Sequence, residues 1–337
     1  LGDAPSNASK FISLINKTEQ QQKINVSVVG FGSQAYPDFC GYAQEIDVLL
    51  AKQNWVERFL ELQTVNDKSA EEFVGWVKLW SAKTGIPLSA TPSLYNEVPK
   101  DLEKMTVLNK TLISDTEHTF LMTLRTNRST KFTSGDLLAI YPANDNQERL
   151  YSIGNHNENI QLVVKLHPSG LGSDYLYTLE SGSVFKARII KNQTFHFPKK
   201  ASKVAFISNG TGIAPFLGMM EQNKTKTEIH LYCGFRKVTE TVLGYEKFAT
   251  EMIHKKQLQS FHLALSREEN HNYVMDLIKR DADVFVDLLT QGGVVMICGS
   301  LAMQKDVEAI LDALCLDKTG KGIADYKANE QVLTDCY

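Results

Sequence analysis

Arg149-Leu150-Tyr151-Ser152, ending a strand pattern, and Gly170-Leu171-Gly172-Ser173-Asp174-Tyr175-Leu176, opening a helical one, are the segments best equipped for chemistry. A flavin dinucleotide needs an aromatic wall for its ring and a hydroxyl near the reactive N5 edge. It also needs a guanidinium for its pyrophosphate and a helix N-terminus offering free amides to phosphate oxygens. Tyr151, Ser152, Arg149 and the turn of Gly170, Gly172 and Ser173 supply those groups. Taken singly, each segment is more often an ordinary strand or helix cap. Their succession within one barrel pattern is what favours the binding reading.

A second set starts at the apolar run Val204 to Ile207 and continues into Gly210-Thr211-Gly212-Ile213-Ala214-Pro215. Strand, glycine-rich turn and helix in that order let the backbone approach a pyrophosphate, and Pro215 suits the first helical turn. Cys298-Gly299-Ser300 ends another apolar run, where crevice residues of a doubly wound sheet are expected, with Asp306 one to two turns into the next helix. On its own, Cys298 reads as a small buried hydrophobe. Ser266-Arg267, just past a strand, could grip a ribose phosphate through a forked guanidinium, or could be a solvated helix start.

Positioning these residues takes several folding units, as 337 residues predict. Residues 1–88 alternate strand and helix patterns, which predicts a parallel sheet. The strands fall at Asn25 to Gly30 and Val56 to Leu62, an amphipathic segment at Tyr36 to Lys52, and a helix starts at Ser69 with Glu71 and Glu72 in its first turn. Ser6-Asn7 can cap an earlier helix. Residues 89–102, proline-bearing, form a linker. Residues 103–200 carry short alternating runs between turn signals, which predicts an antiparallel β-barrel. Residues 201–337 alternate apolar strands with helices, which predicts a doubly wound α/β nucleotide-binding domain.

Composition narrows the function classes. Hydrophobic residues make up 43% and charged residues 22%, ordinary for a globular chain. A net charge of −3 without a basic run argues against nucleic-acid binding. The five cysteines show no paired spacing, which predicts a reducing, cytoplasmic setting. No stretch reads as a membrane span, signal peptide or metal-ligand cluster. The opening Leu1-Gly2-Asp3 reads as a piece of a longer protein.

On these motifs the sequence resembles the diflavin reductases, the group of cytochrome P450 reductase, the sulfite reductase flavoprotein and the reductase half of nitric oxide synthase. Arg149 to Ser152 resembles the family's FAD motif, Gly170 to Leu176 its pyrophosphate loop and Gly210 to Pro215 its NADPH turn. Cys298-Gly299-Ser300 resembles the nicotinamide-side strand, and Asp335-Cys336-Tyr337 the terminal Asp-x-aromatic. The resemblance implies that Ser152, Cys298 and Asp335 line a hydride-transfer site, with Tyr337 stacked on the flavin until nicotinamide displaces it. It places Gly210, Thr211, Gly212, Pro215, Arg236, Ser266 and Arg267, with Cys298 and Asp306, around NADPH. It implies NADPH-dependent oxidoreductase activity and electron transfer to an acceptor protein such as a haem enzyme or sulfite reductase.

Residues 1–88 resemble the second half of a flavodoxin domain, in which Gly32, Ser33, Tyr36, Phe39 and Cys40 would contact FMN. The family's first strand and phosphate loop are absent from the sequence, so FAD is expected to bind firmly and FMN weakly or not at all. Only Asp145, Asn146, Gln147 and Glu148 separate Asn144 from Arg149, where several relatives carry a helical insertion. Asn272 and Met275 stand where the family places Lys and Gln, which softens the expected preference for NADPH over NADH; Arg236 and Lys237 could restore the charge. Two alternatives are an FAD-only reductase serving a separate ferredoxin or flavodoxin, and a non-catalytic docking module.

Overall fold

The structure, a computed structural model, describes residues 8, 10–34, 38–66, 69–88, 99–113, 117–126, 130–142, 148–167, 170–269 and 271–337. The readings at residues 2–7, at Tyr36, at 143–147 and over most of the linker lie outside the described residues. The chain divides into two compact units, Leu1–Pro99 and Lys100–Tyr337.

The first unit contains α1 (Phe11–Lys17), β1 (Ile24–Val26), β2 (Val29–Gly32), α2 (Gly41–Ala51), β3 (Val56–Arg58), β4 (Gln63–Asn66) and α3 (Ala70–Thr84). β1 pairs in parallel with β3, and β2 with β4. The sequence reading put one strand at 25–30 and another at 56–62, but each is interrupted. Two residues, Ser27 and Val28, lie between the ladders on one side and four, Phe59 to Leu62, on the other, so one register cannot run through. Ile15, Ile46, Leu50 and Trp55 form a small core beneath α1 and α2. α3 starts where Ser69 predicts: its hydroxyl accepts from the Glu72 N–H at 3.3 Å.

In the second unit, β5 (Glu103–Lys110), β6 (Thr119–Thr126), β7 (Leu137–Ile140), β8 (Arg149–Ser152), β9 (Gly154–His156), β10 (Asn159–Lys165) and β11 (Val184–Ile190) form one antiparallel sheet. Helix α4 (Leu171–Thr178) lies between β10 and β11 in the chain. The sheet order is β8-β7-β11-β5-β6-β10-β9. Its two end strands, β8 and β9, are separated along the chain only by Ile153, so the sheet curls almost shut. Alternate residues of β6, Phe120, Met122 and Leu124, point inward with Ile140, Ile160, Leu162 and Phe185.

The chain continues through β12 (Lys203–Asn209), α5 (Ala214–Glu221), β13 (Glu228–Phe235), α6 (Glu240–His254), β14 (Ser260–Leu265), α7 (Val274–Arg280) and α8 (Ala282–Thr290). It closes with β15 (Val294–Gly299), α9 (Leu301–Thr319), α10 (Ile323–Ala328) and β16 (Val332–Cys336). The five strands are parallel, in the order β14-β13-β12-β15-β16. Both sheet faces are covered, which is why the strands are apolar runs rather than alternations. From β12 the chain moves outward to β14, then returns to place β15 on the other side of β12. Ligands of such sheets bind at that reversal, beyond the carboxyl ends of the strands.

Candidate functional site

At the reversal point β12 runs into a 3-10 turn, Gly210–Ile213, and then α5 with Pro215 in its first turn. Gly210 has a positive φ of +53°. Gly212 is needed for a different reason: a Cβ there would stand 2.1 Å from the Cys298 carbonyl oxygen, so the turn lies directly on the end of β15. Asn209 clamps the same corner. Its Oδ1 accepts from the Ser300 N–H at 2.9 Å and its Nδ2 donates to Ser300 Oγ at 3.0 Å. Ser300 in turn caps α9.

These strand ends open onto a cleft of about 590 Å³. Of the residues singled out in the sequence, Gly210, Thr211, Arg236, Ser266, Asp306 and Tyr337 line it, as do Asn272 and Met275. Pro215 is buried in α5, and Arg267 is not among the lining residues. The β13–β14 pairing nevertheless continues past both strands: Ser266 N–H donates to Phe235 O at 2.9 Å and Arg267 N–H to Arg236 O at 2.8 Å. Arg236 and Arg267 are thereby neighbours at the rim. The barrel adds Glu117, Lys165 and His167; Glu117 lies 3.8 Å from both Lys165 Nζ and Arg236 Nε.

The last strand brings the barrel and the sheet together. Asp335 pairs with Cys298 in the β15–β16 register, and Ser152 at the end of β8 donates its hydroxyl to Asp335 Oδ2 at 2.7 Å. Burial lifts the Asp335 carboxyl above its ordinary pKa, opposed by hydrogen bonds from Ser152 and Asn192. The Cys298 thiol is fully buried and pushed well above its usual pKa, first by burial and then by Asp335. Tyr337 follows, 51% exposed, with its hydroxyl 2.8 Å from Thr211 Oγ1. Its backbone is tied to Gly299 O and to Leu301 N–H.

On the barrel side, α4 packs against Arg149 and Tyr151 of β8. A Cβ at Gly172 would lie 2.7 Å from the Tyr151 hydroxyl and 3.1 Å from Arg149 Cγ, so glycine permits the contact. Burial pushes the Tyr151 hydroxyl up to about 12, against the pull of Arg149. Gly170 is the N-cap residue of α4. The Ser173 hydroxyl, expected to face phosphate, accepts from the His167 N–H at 3.1 Å and donates to Gly170 O at 3.3 Å, closing the loop on itself.

Residues 206–309 match the family model described as the oxidoreductase NAD-binding domain; the match includes the Gly210–Ile213 turn and Cys298. The chain is 31% identical over 215 residues to the sulfite reductase [NADPH] flavoprotein alpha-component of Buchnera aphidicola, covering 56% of this chain and 36% of that one. It is 34% identical over 139 residues to the NADPH--cytochrome P450 reductase of Rattus norvegicus, covering 38% of this chain and 20% of that one. The chain is thus similar to proteins of the diflavin reductase group. It therefore spans about a third or less of the length of these relatives. The ferredoxin-NADP+ reductase of Plasmodium falciparum shares the fold at a TM-score of 0.57 and 20% identity, over 72% of this chain and 99% of that one.

In the diflavin reductase resemblance, the first unit's candidates are Gly32, Ser33, Phe39 and Cys40, with Tyr36 outside the described residues. Cys40 is buried against Gly32, where a Cβ would stand 2.9 Å from its sulfur, and burial raises its thiol pKa. Phe39 closes on the same glycine, 3.3 Å from that Cβ position. Several residues at the site of the second unit carried no sequence signal of their own. Glu117 and Lys165 come from separate segments and approach to 3.8 Å only once the chain is folded.

Proposed function

We propose that this chain is the electron-entry module of a diflavin reductase, taking hydride from NADPH onto FAD and passing electrons singly to an acceptor protein. The observation that carries this reading is the Ser152–Asp335 hydrogen bond at 2.7 Å, which joins the barrel strand of the FAD motif to the terminal strand at the nucleotide cleft.

The residues present suit two dinucleotides. Gly172 and Gly212 each remove a Cβ that would fill a close approach, beside Arg149 and Tyr151 in one case and β15 in the other. Arg149 and the N-terminal amides of α4 would hold the FAD pyrophosphate, with Tyr151 as an aromatic wall. The turn at Gly210, Thr211 and Gly212 would receive the NADPH pyrophosphate, and Arg236, Ser266 and Arg267 its ribose phosphate. Asp306, in the second turn of α9, lines the same cleft. FAD, when bound, supplies the N5 atom that accepts the hydride.

The protein's own part is positional and electrostatic. Ser152 fixes the Asp335 carboxylate beside the buried Cys298, where it can stabilise positive charge left on nicotinamide as hydride departs. Tyr337 must swing away to admit nicotinamide. Its side-chain bond to Thr211 is one of ordinary strength, about 0.5–1.5 kcal/mol net, so a modest share of NADPH binding energy displaces it. The acceptor is a redox protein of haem or sulfite reductase type, as for the relatives, and the five free thiols suit a cytoplasmic setting.

Anaerobic stopped-flow mixing with NADPH tests the reading. Ser152→Ala should slow loss of oxidised-flavin absorbance by about 10- to 100-fold with FAD content unchanged. Wild-type speed in that variant would remove Ser152 and Asp335 from the reaction.

A further inference from the structure

The nucleotide cleft carries a carboxylate on its barrel rim. Glu117 stands just ahead of β6 and lines the cleft together with Lys165, from the end of β10, and Arg236, just past β13. Its Oε2 lies 3.8 Å from Lys165 Nζ and 3.8 Å from Arg236 Nε, so one carboxylate oxygen faces a cation of the barrel and a cation of the parallel sheet. Backbone pairing fixes both sides of this clasp. Thr119 is opposite Lys165 in the β6–β10 register, and Leu166 N–H donates to His118 O at 2.8 Å, which holds residues 117–119 beside the end of β10. On the other rim the Arg236 carbonyl accepts from the Arg267 N–H at 2.8 Å.

The three side chains are unequally exposed: Glu117 20%, Lys165 32% and Arg236 59%. At 3.8 Å the Arg236 contact is Coulombic and too long for a hydrogen bond. Ion pairs this exposed are weak and readily exchanged. A phosphate monoester carries about −1.5 to −2 charges at neutral pH, against the single charge of a carboxylate, and offers a guanidinium two parallel bonds. Arg236 therefore turns from Glu117 to a phosphate that enters the cleft. Glu117, the most buried of the three and still facing Lys165, stays and repels that phosphate at short range. A coenzyme lacking the ribose phosphate leaves the clasp as it is.

We propose that Glu117 is a specificity-determining residue of the nucleotide cleft: it pairs with Arg236 and competes with the ribose phosphate for it, which narrows the discrimination between NADPH and NADH. The inference rests on the NADPH reading above, in which Arg236 serves the ribose phosphate.

Calorimetric titration of the purified chain with NADP+ and NAD+ at low ionic strength tests it, since the two share a pyrophosphate and differ only in the ribose phosphate. Glu117→Gln should tighten NADP+ binding by about fivefold and NAD+ binding by less than about twofold. Added salt should shrink the NADP+ gain by screening the competing charge. Arg236→Gln should weaken NADP+ binding, and in that background Glu117→Gln should recover less than about twofold, because the competition needs both partners. NADP+ binding in Glu117→Gln no tighter than in the wild type overturns the proposal. So does an equal gain for NAD+, which would put the competition at the pyrophosphate. A wild-type chain that binds neither dinucleotide sinks the NADPH reading and this inference with it, whereas wild-type NADP+ binding without a gain in the variant sinks the inference alone.

Discussion

Replacing Gly212 by alanine would put a methyl carbon 2.1 Å from the Cys298 carbonyl oxygen and 2.5 Å from its carbonyl carbon. Ordinary contact begins at 3.4 Å, so the turn and β15 must part by 3.4 − 2.1, or 1.3 Å, and both sides are backbone. Overpacking of this kind costs about 1–3 kcal/mol, equivalent to a Tm loss of roughly 2–12 °C for a unit of this size. The larger effect falls on function. Displacing the turn that receives the NADPH pyrophosphate by more than 1 Å should cost about 100-fold in single-turnover flavin reduction at subsaturating NADPH. Gly210→Ala is the control in the same turn. Its φ of +53° makes alanine strained by about 1–2 kcal/mol, but its Cβ would meet nothing within 4 Å among the described residues. That variant should lose comparable stability and distinctly less reactivity than Gly212→Ala. The assay pairs calorimetry with stopped-flow reduction on both proteins. If Gly210→Ala loses as much reactivity as Gly212→Ala, close approach to β15 is not what the turn requires, and the packing argument fails.

Asp335→Asn should separate stability from reactivity. Since burial raises the folded-state pKa of Asp335 above its ordinary 3.8, the folded chain binds that proton more tightly than the unfolded one, and stability is lost as pH rises from 3.8 through the folded-state value. The neutral variant should therefore melt higher than wild type at pH 7, by a margin that shrinks on acidification, while flavin reduction slows; a lower melting temperature at pH 7 would contradict this. Gly172→Ala should push the Tyr151 ring, a movable side-chain end, and weaken FAD retention with a stability loss of about 1 kcal/mol, measured by flavin release against urea unfolding. Removing Tyr337 should raise the use of NADH relative to NADPH in steady-state kinetics; unchanged coenzyme preference would end its gating role. Added FMN should not be retained on gel filtration at micromolar concentration.

The parts of the site legible in the sequence are those built from contiguous residues. Gly210 to Pro215 encodes strand end, turn and helix start together, and Ser69 with Glu72 encodes a cap within one helical turn. Order along the chain also conveyed the barrel and the parallel sheet, because each has its own periodicity. What stayed hidden depends on registers between distant segments. Ser27-Val28 against Phe59 to Leu62 interrupts a ladder that neither strand's pattern betrays. Ser173 has the right residue type for a phosphate loop, yet its hydroxyl is used by His167 and Gly170. Asp136 and Asn192 lie 56 positions apart and meet through the β7–β11 pairing, which sets Leu137 opposite Ile190.

The most direct measurement is flavin analysis and the visible spectrum of the purified chain, before and after anaerobic addition of NADPH. One FAD per chain, bleached by NADPH, is expected. A folded protein that holds no flavin even after reconstitution with FAD would contradict the proposed electron-entry role.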